Sequence, residues 1–571
     1  MGWGVLEPNH PGHVPGTTRY YDDPNQPGHV HETKSTLGLK TVEVNGKHVI
    51  LVPQPSDDPN DPLNWPLWQR DMITFVLSIS AILGTAQGSI LAADTITIAI
   101  DLRHNFTDVA LLTGYFLMGC GAAAVFFVPS GRVWGKRHAF IIGLVILVAS
   151  SAWATFAHKN YNSLLGARIV QGVGCAPFES LINAAVGDLY CVHERGVRMA
   201  FVNMAVLGGA FFAPIIAGKM AMTMGWEWSF GFTAIFCGAA LVAVFFFCPE
   251  MSYRRNAELD LDRIGGDMPA SEETESKAPA LTQESRSPSD TGLSSKQLSR
   301  AAEENIAAPS NVILRKKSWV QSLALFDGRK TDESFFVLLL RPFPLFIQPA
   351  FFWACLVQGT MIGWTVFTGA IIAELFQGPP YFWREDKTGY TYVSPVIGAI
   401  VGFTVSGALS DWSARFMTKR NNNIYEPEFR ILLVIPMFVL GEIGLYGFGI
   451  SAANIAGGKT AWQVPVVFFG LIVCAMVIGA VASSLYVVDA YRGIAIEGFT
   501  IMMVFKNFFS FFLTWYAFEW VTSSIGTRKI FIVLASIQIF VCLLSIPIYI
   551  YGKRIRSLFY RRNMLKKLGL D

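Results

Sequence analysis

The stretch Leu164–Tyr190 reads LLGARIVQGVGCAPFESLINAAVGDLY, and Phe201–Gly218 reads FVNMAVLGGAFFAPIIAG. The first run holds an Arg and a Glu in an apolar span long enough to cross a bilayer, where charge is costly and usually functional. The second run carries a small residue at every fourth position, which lets another backbone approach one helix face. These small residues are Ala205, Gly209, Ala213 and Ala217. The two runs predict neighbouring helices of a polytopic membrane protein.

The composition also indicates a chain that lies mostly within a membrane. Of its 571 residues, 52% are hydrophobic and only 15% are charged, whereas soluble domains carry about 25% charged residues. A net charge of +3 without a basic, aromatic-rich patch argues against a nucleic-acid partner. The eight Cys show no CxxC spacing, so we expect neither disulfides nor a metal site. We predict no cofactor, and the absence of P-loop, GxSxG and HExxH motifs argues against an enzyme.

Twelve apolar runs of about 20 residues or more, each sufficient for a spanning helix, lie six on either side of a polar middle segment. The predicted spans are 72–98, 108–130, 138–157, 163–189, 199–222, 229–248, 346–374, 389–412, 430–450, 463–487, 498–522 and 529–551. We therefore predict an all-α membrane protein whose twelve transmembrane helices form two six-helix bundles.

This count divides the chain into five regions. They are a cytoplasmic N-terminal tail at 1–70, bundles at 71–249 and 345–552, a largely disordered cytoplasmic linker at 250–344, and a basic cytoplasmic tail at 553–571. The linker core at 270–304 has the composition of disordered chain. Basic residues concentrate after spans 2, 4, 8 and 10 and in the C-terminal tail, which predicts that both termini are cytoplasmic. The sequon at Asn105 would then lie outside, as a candidate glycosylation site.

Polar residues form a stripe along span 4. Arg168 and Glu179 are eleven residues apart, which is about 16 Å along a helix and about 20° around it, and Gln171 and Asn183 share their face. Such a stripe is expected to face a bundle interior or a cavity. We interpret Arg168 as a charge that tunes the pKa of a neighbouring acid, and Glu179 as a proton or cationic-substrate site. The alternative is that both are structural partners between helices.

Span 1 carries Gln87 and Asp94 seven residues apart, close to one face. Asp94 lies towards the outer end, where it would bind a proton or a substrate; alternatively it is a half-solvated acid at the interface. In span 7, Gln358, Trp364 and Thr365 combine amide, hydroxyl and aromatic groups that suit an organic ligand. The alternative for this set is helix–helix hydrogen bonding.

Two further charges lie within the last four spans. Glu442 falls near the middle of span 9, where an isolated acid is costly unless it is protonated or paired. Lys506 in span 11 either pairs with Asp489 or balances a carboxylate in the cavity. We treat Glu442 and Lys506 as candidate substrate-binding residues, with a structural role as the alternative for each.

Three short patterns resemble the major facilitator superfamily, and within it the twelve-span drug:proton antiporters of fungi. They are Gly135-Lys136-Arg137 after span 2, Arg168, Gln171, Gly172 and Gly174 in span 4, and Gly209, Pro214 and Gly218 in span 5. The resemblance implies that Arg168 assists proton coupling, that the loop after span 2 gates the cytoplasmic side, and that the span 5 pattern marks an antiporter. Arg132 stands where the family has an Asp, whereas Asp411 keeps the acid in the second-half copy.

The expected function is secondary active transport of small organic molecules by alternating access, with the substrate site between the halves. We predict proton-coupled export of drugs or secondary metabolites by a monomer in the plasma membrane, with substrate, protons and the lipid bilayer as its partners. One alternative is proton-driven uptake of organic cations such as polyamines. Another is a receptor-like membrane protein that does not transport.

Overall fold

The computed structural model describes residues 4–8, 14–19, 40–44, 47–51, 53, 55–157, 160–254, 316–422, 424–455, 459–522, 526–562 and 564–570. Within these ranges, twelve helical segments are long and apolar enough to cross a membrane, which confirms the predicted number of spans. The core of the predicted disordered linker, 270–304, lies outside the described residues.

The twelve spanning helices are labelled α1 to α12. In chain order they are Leu67–Ser89, Phe106–Trp134, Arg137–Thr155, Tyr161–Ser180, Val192–Met224, Glu227–Phe247, Pro349–Gln377, Val393–Arg420, Val434–Ile455, Gln463–Ala490, Ala495–Thr522 and Gly526–Leu543. Short helices extend several of them: Thr95–Leu102 follows α1, Ile182–Leu189 continues α4, Glu385–Tyr390 precedes α8, and Ser545–Arg562 continues α12. The predicted first span, 72–98, is therefore divided, because α1 ends at Ser89.

The two halves of the molecule repeat one packing scheme. In the first half α2 packs on α4, α1 on α5, and α3 on both α4 and α6; in the second half α8 packs on α10, α7 on α11, and α9 on both α10 and α12. Across the halves, α2 packs on α11 and α5 on α8. Each half therefore has its own core, and these four helices form most of the boundary between the halves, where transporters built from repeats place their substrate site.

We call one face of the bundle the basic end. It holds the connections after α2, α4, α8 and α10, in which Arg and Lys concentrate, and we call the other face the far end. The described residues at 4–8 and 14–19 lie at the basic end of the second half, where strand β1 (Thr18–Arg19) pairs with a strand at Ile424–Tyr425. The N–H of Leu6 donates to the carbonyl of Ile550 at 3.0 Å. These parts of the predicted N-terminal tail are thus packed against the second bundle.

Large apolar side chains remain uncovered on the outward faces of the helices. On α6, for example, Ile235 is 62% exposed, Phe236 57% and Val242 56%. A helix whose backbone bonds are internal can present such side chains to hydrocarbon without leaving polar groups unsatisfied. These faces are accordingly the ones that would contact lipid.

Candidate functional site

An ion pair joins the two halves where α4 and α11 meet. The Nζ atom of Lys506 on α11 donates to Oε1 of Glu179 on α4. The second carboxylate oxygen accepts from Sγ of Cys120 on α2 at 3.0 Å and from Nδ2 of Asn507 at 3.5 Å. Glu179 is thus held by one helix of its own half and by a cation from the other half.

The burial of this pair makes its partnership obligatory. The side chains of Glu179 and Lys506 are 17% and 14% exposed. A buried charge that loses its partner costs several kcal/mol, about 3–5 by mutation. Any movement that separates α4 from α11 must therefore give Glu179 another cation or a proton.

Arg168 lies deeper in the first half and serves as a junction between helices. It is fully buried; its Nη1 donates to the carbonyl of Gln87 at 2.5 Å, its Nη2 to that of Gly88 at 3.2 Å, and its Nε to that of Leu112 at 3.3 Å. None of the ion pairs among the described residues includes Arg168. The predicted acid neighbour is therefore missing in this structure, because backbone carbonyls of α1 and α2 take its donors.

The predicted glutamines join this junction. Oε1 of Gln171 accepts from Nη1 of Arg168 at 3.0 Å, and Nε2 of Gln87 donates to Oγ of Ser151 on α3 at 2.7 Å. Both glutamines are fully buried, and Oε1 of Gln87 has no hydrogen-bond partner among the described residues. Asn183 lies further along the α4 stripe, where its Nδ2 donates to Oδ1 of Asn203 on α5 at 2.9 Å.

The polar residues predicted on α7 do not share one environment. Trp364 is 2% exposed, and its Nε1 donates at 2.9 Å to Gln538 on α12, inside the second half. The indole N–H is therefore satisfied within the second bundle, and the assignment of Trp364 to substrate binding stays a prediction. Thr365 donates to the carbonyl of Met361 in its own helix at 2.9 Å. Oε1 of Gln358 is buried and has no partner in the described part of the chain.

Glu442 lies on α9, which packs on α10 and α12 rather than on the first half. It is 9% exposed, and neither carboxylate oxygen has a hydrogen-bond partner among the residues described. The structure thus separates Glu442 from the boundary between the halves. Its predicted role as a substrate ligand stays a prediction.

The predicted gating motif wraps one carboxylate at the basic end. The backbone N–H groups of Lys136 and Arg137 donate to Glu250 at 2.9 and 3.0 Å. Gly135 has a φ of +93° and packs against the same carboxyl group, so that no other residue fits there without strain. The side chain of Lys136 pairs with Asp188 at the end of the α4 extension. The motif therefore fixes the connection between α2 and α3 to the rest of the first half.

A second contact between the halves lies beside this motif. Arg132, at the end of α2, pairs with Glu497 in the first turn of α11, and Glu497 also receives Nη1 of Arg341 at 3.2 Å. Glu497 is 3% exposed. In the sequence, Arg132 is recognisable only as a departure from the family pattern, and its partner is not evident. The signal was the first-turn position of Glu497, where a helix favours an acid.

The pattern in α5 marks close approaches on two sides. A Cβ atom at Gly209 would lie 2.5 Å from the carbonyl of Ile82 on α1, and one at Gly218 would lie 2.5 Å from the carbonyl of Glu385. The carbonyl of Pro214 would be 2.7 Å from a Cβ atom at Gly389. Gly209 therefore packs α5 within its own half, whereas Pro214 and Gly218 lie where the halves meet at the far end.

Three remaining candidates lie near the ends of helices. Asp94 follows α1 at the far end and is 1% exposed. Asp411 is 69% exposed and lies 4.0 Å from Nη1 of Arg430 in its own half. Asn105 is the exposed residue before α2 at the far end.

These features define a two-half helical membrane protein with a polar site between the halves, and the sequence comparison agrees. The chain belongs to the major facilitator superfamily, whose family model matches residues 76–503. Protein HOL1 of Saccharomyces cerevisiae is 23% identical over 98% of both chains. The efflux pump vrtL of Penicillium aethiopicum is 23% identical over 80% of both chains. The predicted family and fold class are thereby confirmed.

The architecture also resembles solved transporters. The inward-open xylose transporter XylE from E. coli matches with a TM-score of 0.53, over 83% of this chain and 95% of that chain, at 12% identity. That likeness concerns the fold alone. Together with the family match, it indicates a multi-pass membrane transporter rather than an enzyme.

Proposed function

We propose that this protein exports small organic molecules, such as drugs or secondary metabolites, in exchange for protons. The observation that carries this proposal is the buried pair of Glu179 and Lys506, which joins the two halves. An acid at this boundary must be neutralised in every state of the cycle. Lys506 neutralises it here, and a proton does so when the halves move apart.

The cycle follows from that requirement. A proton that enters from outside binds the Glu179 carboxylate, frees Lys506 and allows α4 and α11 to separate. When the proton leaves to the cytoplasm, the carboxylate is charged again and recovers its ion pair. Arg168 holds α1, α2 and α4 in register beneath this site, and Asp94 acts as a second proton-binding group at the far end.

The substrate binds in the space between the halves. Oε1 of Gln358 and Oδ1 of Asn183 are buried without a partner among the described residues, so both are available to accept hydrogen bonds from it. Gln87 and Gln171 lie below, in the Arg168 junction. Such sparse polar groups among apolar walls suit an organic molecule.

Ion pairs and close helix contacts act as the gates. Arg132 and Glu497 close the basic end, while Gly135, Lys136 and Arg137 hold α2 in place for that contact. At the far end, Pro214 and Gly218 allow α5 to contact the segment before α8. Asp411 anchors Arg430 and acts only within the second half.

A second candidate is the uptake of organic cations such as polyamines. One observation favours it: an ammonium group already occupies the Glu179 carboxylate, so a substrate amine can replace Lys506 with the same charge and donors. In this version protons and substrate move in one direction. Glu179 then binds substrate as well as protons.

The basic end faces the cytoplasm in this proposal, in accordance with the positive-inside rule. Both termini are then cytoplasmic, and Asn105 lies outside, where a glycan can be attached. The proposal keeps the division into two bundles, with the linker at 250–344 on the cytoplasmic side. The protein works as a monomer in the plasma membrane.

Proteoliposomes with a pH-sensitive dye inside test both versions. Rhodamine 6G and spermidine are added under an imposed proton gradient, with wild type and Glu179→Gln incorporated to equal density. Export predicts that substrate and protons move in opposite directions through wild type; uptake predicts movement in the same direction. In both versions Glu179→Gln abolishes the coupled proton flux. Coupled flux that Glu179→Gln leaves intact would contradict the proposal.

A further inference from the structure

The far end of the molecule is closed by contacts between two short helices. Thr95–Leu102 follows α1 in the first half, and Glu385–Tyr390 precedes α8 in the second. Thr97 donates its hydroxyl hydrogen to Oε1 of Glu385, and Nε2 of Gln377 donates to the carbonyl of Ala93 at 2.6 Å. The first residues of each short helix therefore lie at the boundary between the halves.

Asp94 lies directly at this boundary without a donor. It is the N-cap residue of Thr95–Leu102 but makes no capping hydrogen bond, although an Asp at this position ordinarily accepts from the backbone. Both of its carboxylate oxygens are buried and unpartnered among the described residues. A carboxylate so placed is costly when charged and much less so when protonated.

Glu385 brings a carboxylate of the second half to this place, because it accepts the hydroxyl hydrogen of Thr97, three residues along the chain from Asp94. Asp94 belongs to the connection between α1 and α2, outside both spanning segments. Its burial, and after that the charge of Glu385, raise the pKa of Asp94 to about 8. Two negative charges close together at a buried boundary disfavour each other, and a proton on one of them removes that repulsion.

Other titratable groups on the packed elements are engaged or exposed, and none forms an ion pair with Asp94 in the described structure. Three of these groups have other partners: Nε of Arg384 contacts Sδ of Met222, Asp101 accepts from Trp226, and His104 lies against Asp108. Glu374 lies on α7 beside Ile96. The remaining groups lie at the surface or near it; they are Lys219, Asp386 and Lys387. A proton is therefore the cation that can neutralise the pair.

We propose that Asp94 and Glu385 hold one proton between them, and that this shared proton latches the two halves together at the far end. In the latched state the protonated Asp94 donates its hydrogen to the Glu385 carboxylate. When the proton leaves to the outside solution, two anions remain and repel each other. The proposal rests on the alternating motion of the proposed function, and it adds Glu385 as a proton-binding residue.

The backbone around the pair is positioned to respond to that repulsion. Gly218 abuts the carbonyl of Glu385, and Gly389 abuts the carbonyl of Pro214. The backbone of α5 and the backbone of the segment before α8 are in direct contact, without side chains between them. A small increase in their separation is therefore enough to break this contact. Repulsion between the carboxylates acts on the same residues that form the closed end.

Spin-label distances across the far end test the latch. Met224→Cys at the end of α5 and Val464→Cys at the start of α10 supply exposed labelling positions in the two halves, since all eight native Cys are buried. Distances are measured in nanodiscs at about pH 6 and about pH 9.5, on either side of the Asp94 pKa of about 8. We expect wild type to shift towards longer distances at the higher pH.

Neutral variants of similar shape distinguish loss of the latch from misfolding of the protein. Asp94→Asn and Glu385→Gln each remove the repulsion, so both keep the short distance at both pH values; Asp386→Asn, one residue along, keeps the wild-type response. A wild-type distance that ignores pH, or a pH response that survives in both isosteres, would overturn the latch. Because this measurement needs no substrate, it can fail while proton-coupled flux is found, and it can succeed where no such flux exists.

Discussion

Glu179 and Lys506 neutralise each other across the boundary between the two halves. Each was predicted as functional because charge inside an apolar span demands a partner. Their pairing could not be predicted, because they are 327 residues apart and belong to different halves. No local sequence pattern determines how the two halves align with each other. For the same reason, the neighbours of Arg168 proved to be carbonyls of two other helices.

Lys506→Met is expected to destabilise the protein strongly, because it leaves Glu179 buried without a cation. The cost of breaking such a pair is about 3–5 kcal/mol. The double variant Glu179→Gln with Lys506→Met removes both charges and is expected to recover most of the loss. Thermal unfolding of the detergent-solubilised protein measures both effects. A double variant that is no more stable than Lys506→Met would contradict the pair as described.

Arg168→Lys is expected to lower stability although it keeps the charge. A single ammonium group cannot reach the carbonyls of both α1 and α2 that the guanidinium contacts. Each lost hydrogen bond to a charged group is worth about 1.5–3 kcal/mol. The matched control is Arg415→Lys on α8, which forms none of the ion pairs described. Equal melting temperatures for the two variants would argue against the junction role.

At the scale of the element, apolar length predicted all twelve helices, since a spanning helix needs about 20 such residues. The face of α7 that turns into its own half could not be predicted, because polar and aromatic residues occur on more than one face of that helix. Trp364 lies on that inner face and donates to Gln538. The end of α1 at Ser89 was also missed, because the apolar run continues past it.

Gly218→Val in α5 is expected to hold the far end open, because a Cβ atom there would lie 2.5 Å from the carbonyl of Glu385. Gly208→Val is the matched control, since its Cβ atom would meet only Phe212, at 3.9 Å. The distance between labels at positions 224 and 464 reports the difference. A longer distance in Gly218→Val alone is the predicted result, and equal distances in both variants would refute it.

At the scale of the whole molecule, the repeated packing of the halves follows from twelve spans divided evenly, so the superfamily fold could be predicted. The contact that closes the basic end could not. Arg132 stands where the family pattern has an acid, and the sequence alone left its effect open. In the structure its charge is matched by Glu497 at the start of α11, which preserves a contact between the halves at that point.

Arg132→Glu is expected to open the basic end, because it places an acid against Glu497 and Glu333, both of which Arg132 now pairs with. Arg415→Glu, at the same end but outside this contact, is the control. Labels at exposed basic-end positions, Val197 on α5 and Trp412 on α8, report the separation. An unchanged distance in Arg132→Glu would show that this ion pair does not close the gate.

The central claim is that Glu179 exchanges Lys506 for a proton as the halves move. The most direct measurement is proton flux through proteoliposomes on addition of rhodamine 6G or spermidine, compared between wild type and Glu179→Gln. The account predicts compound-dependent proton movement in wild type and at least a tenfold loss, about 1.4 kcal/mol or more, in the variant. Proton movement of wild-type size through Glu179→Gln would contradict it.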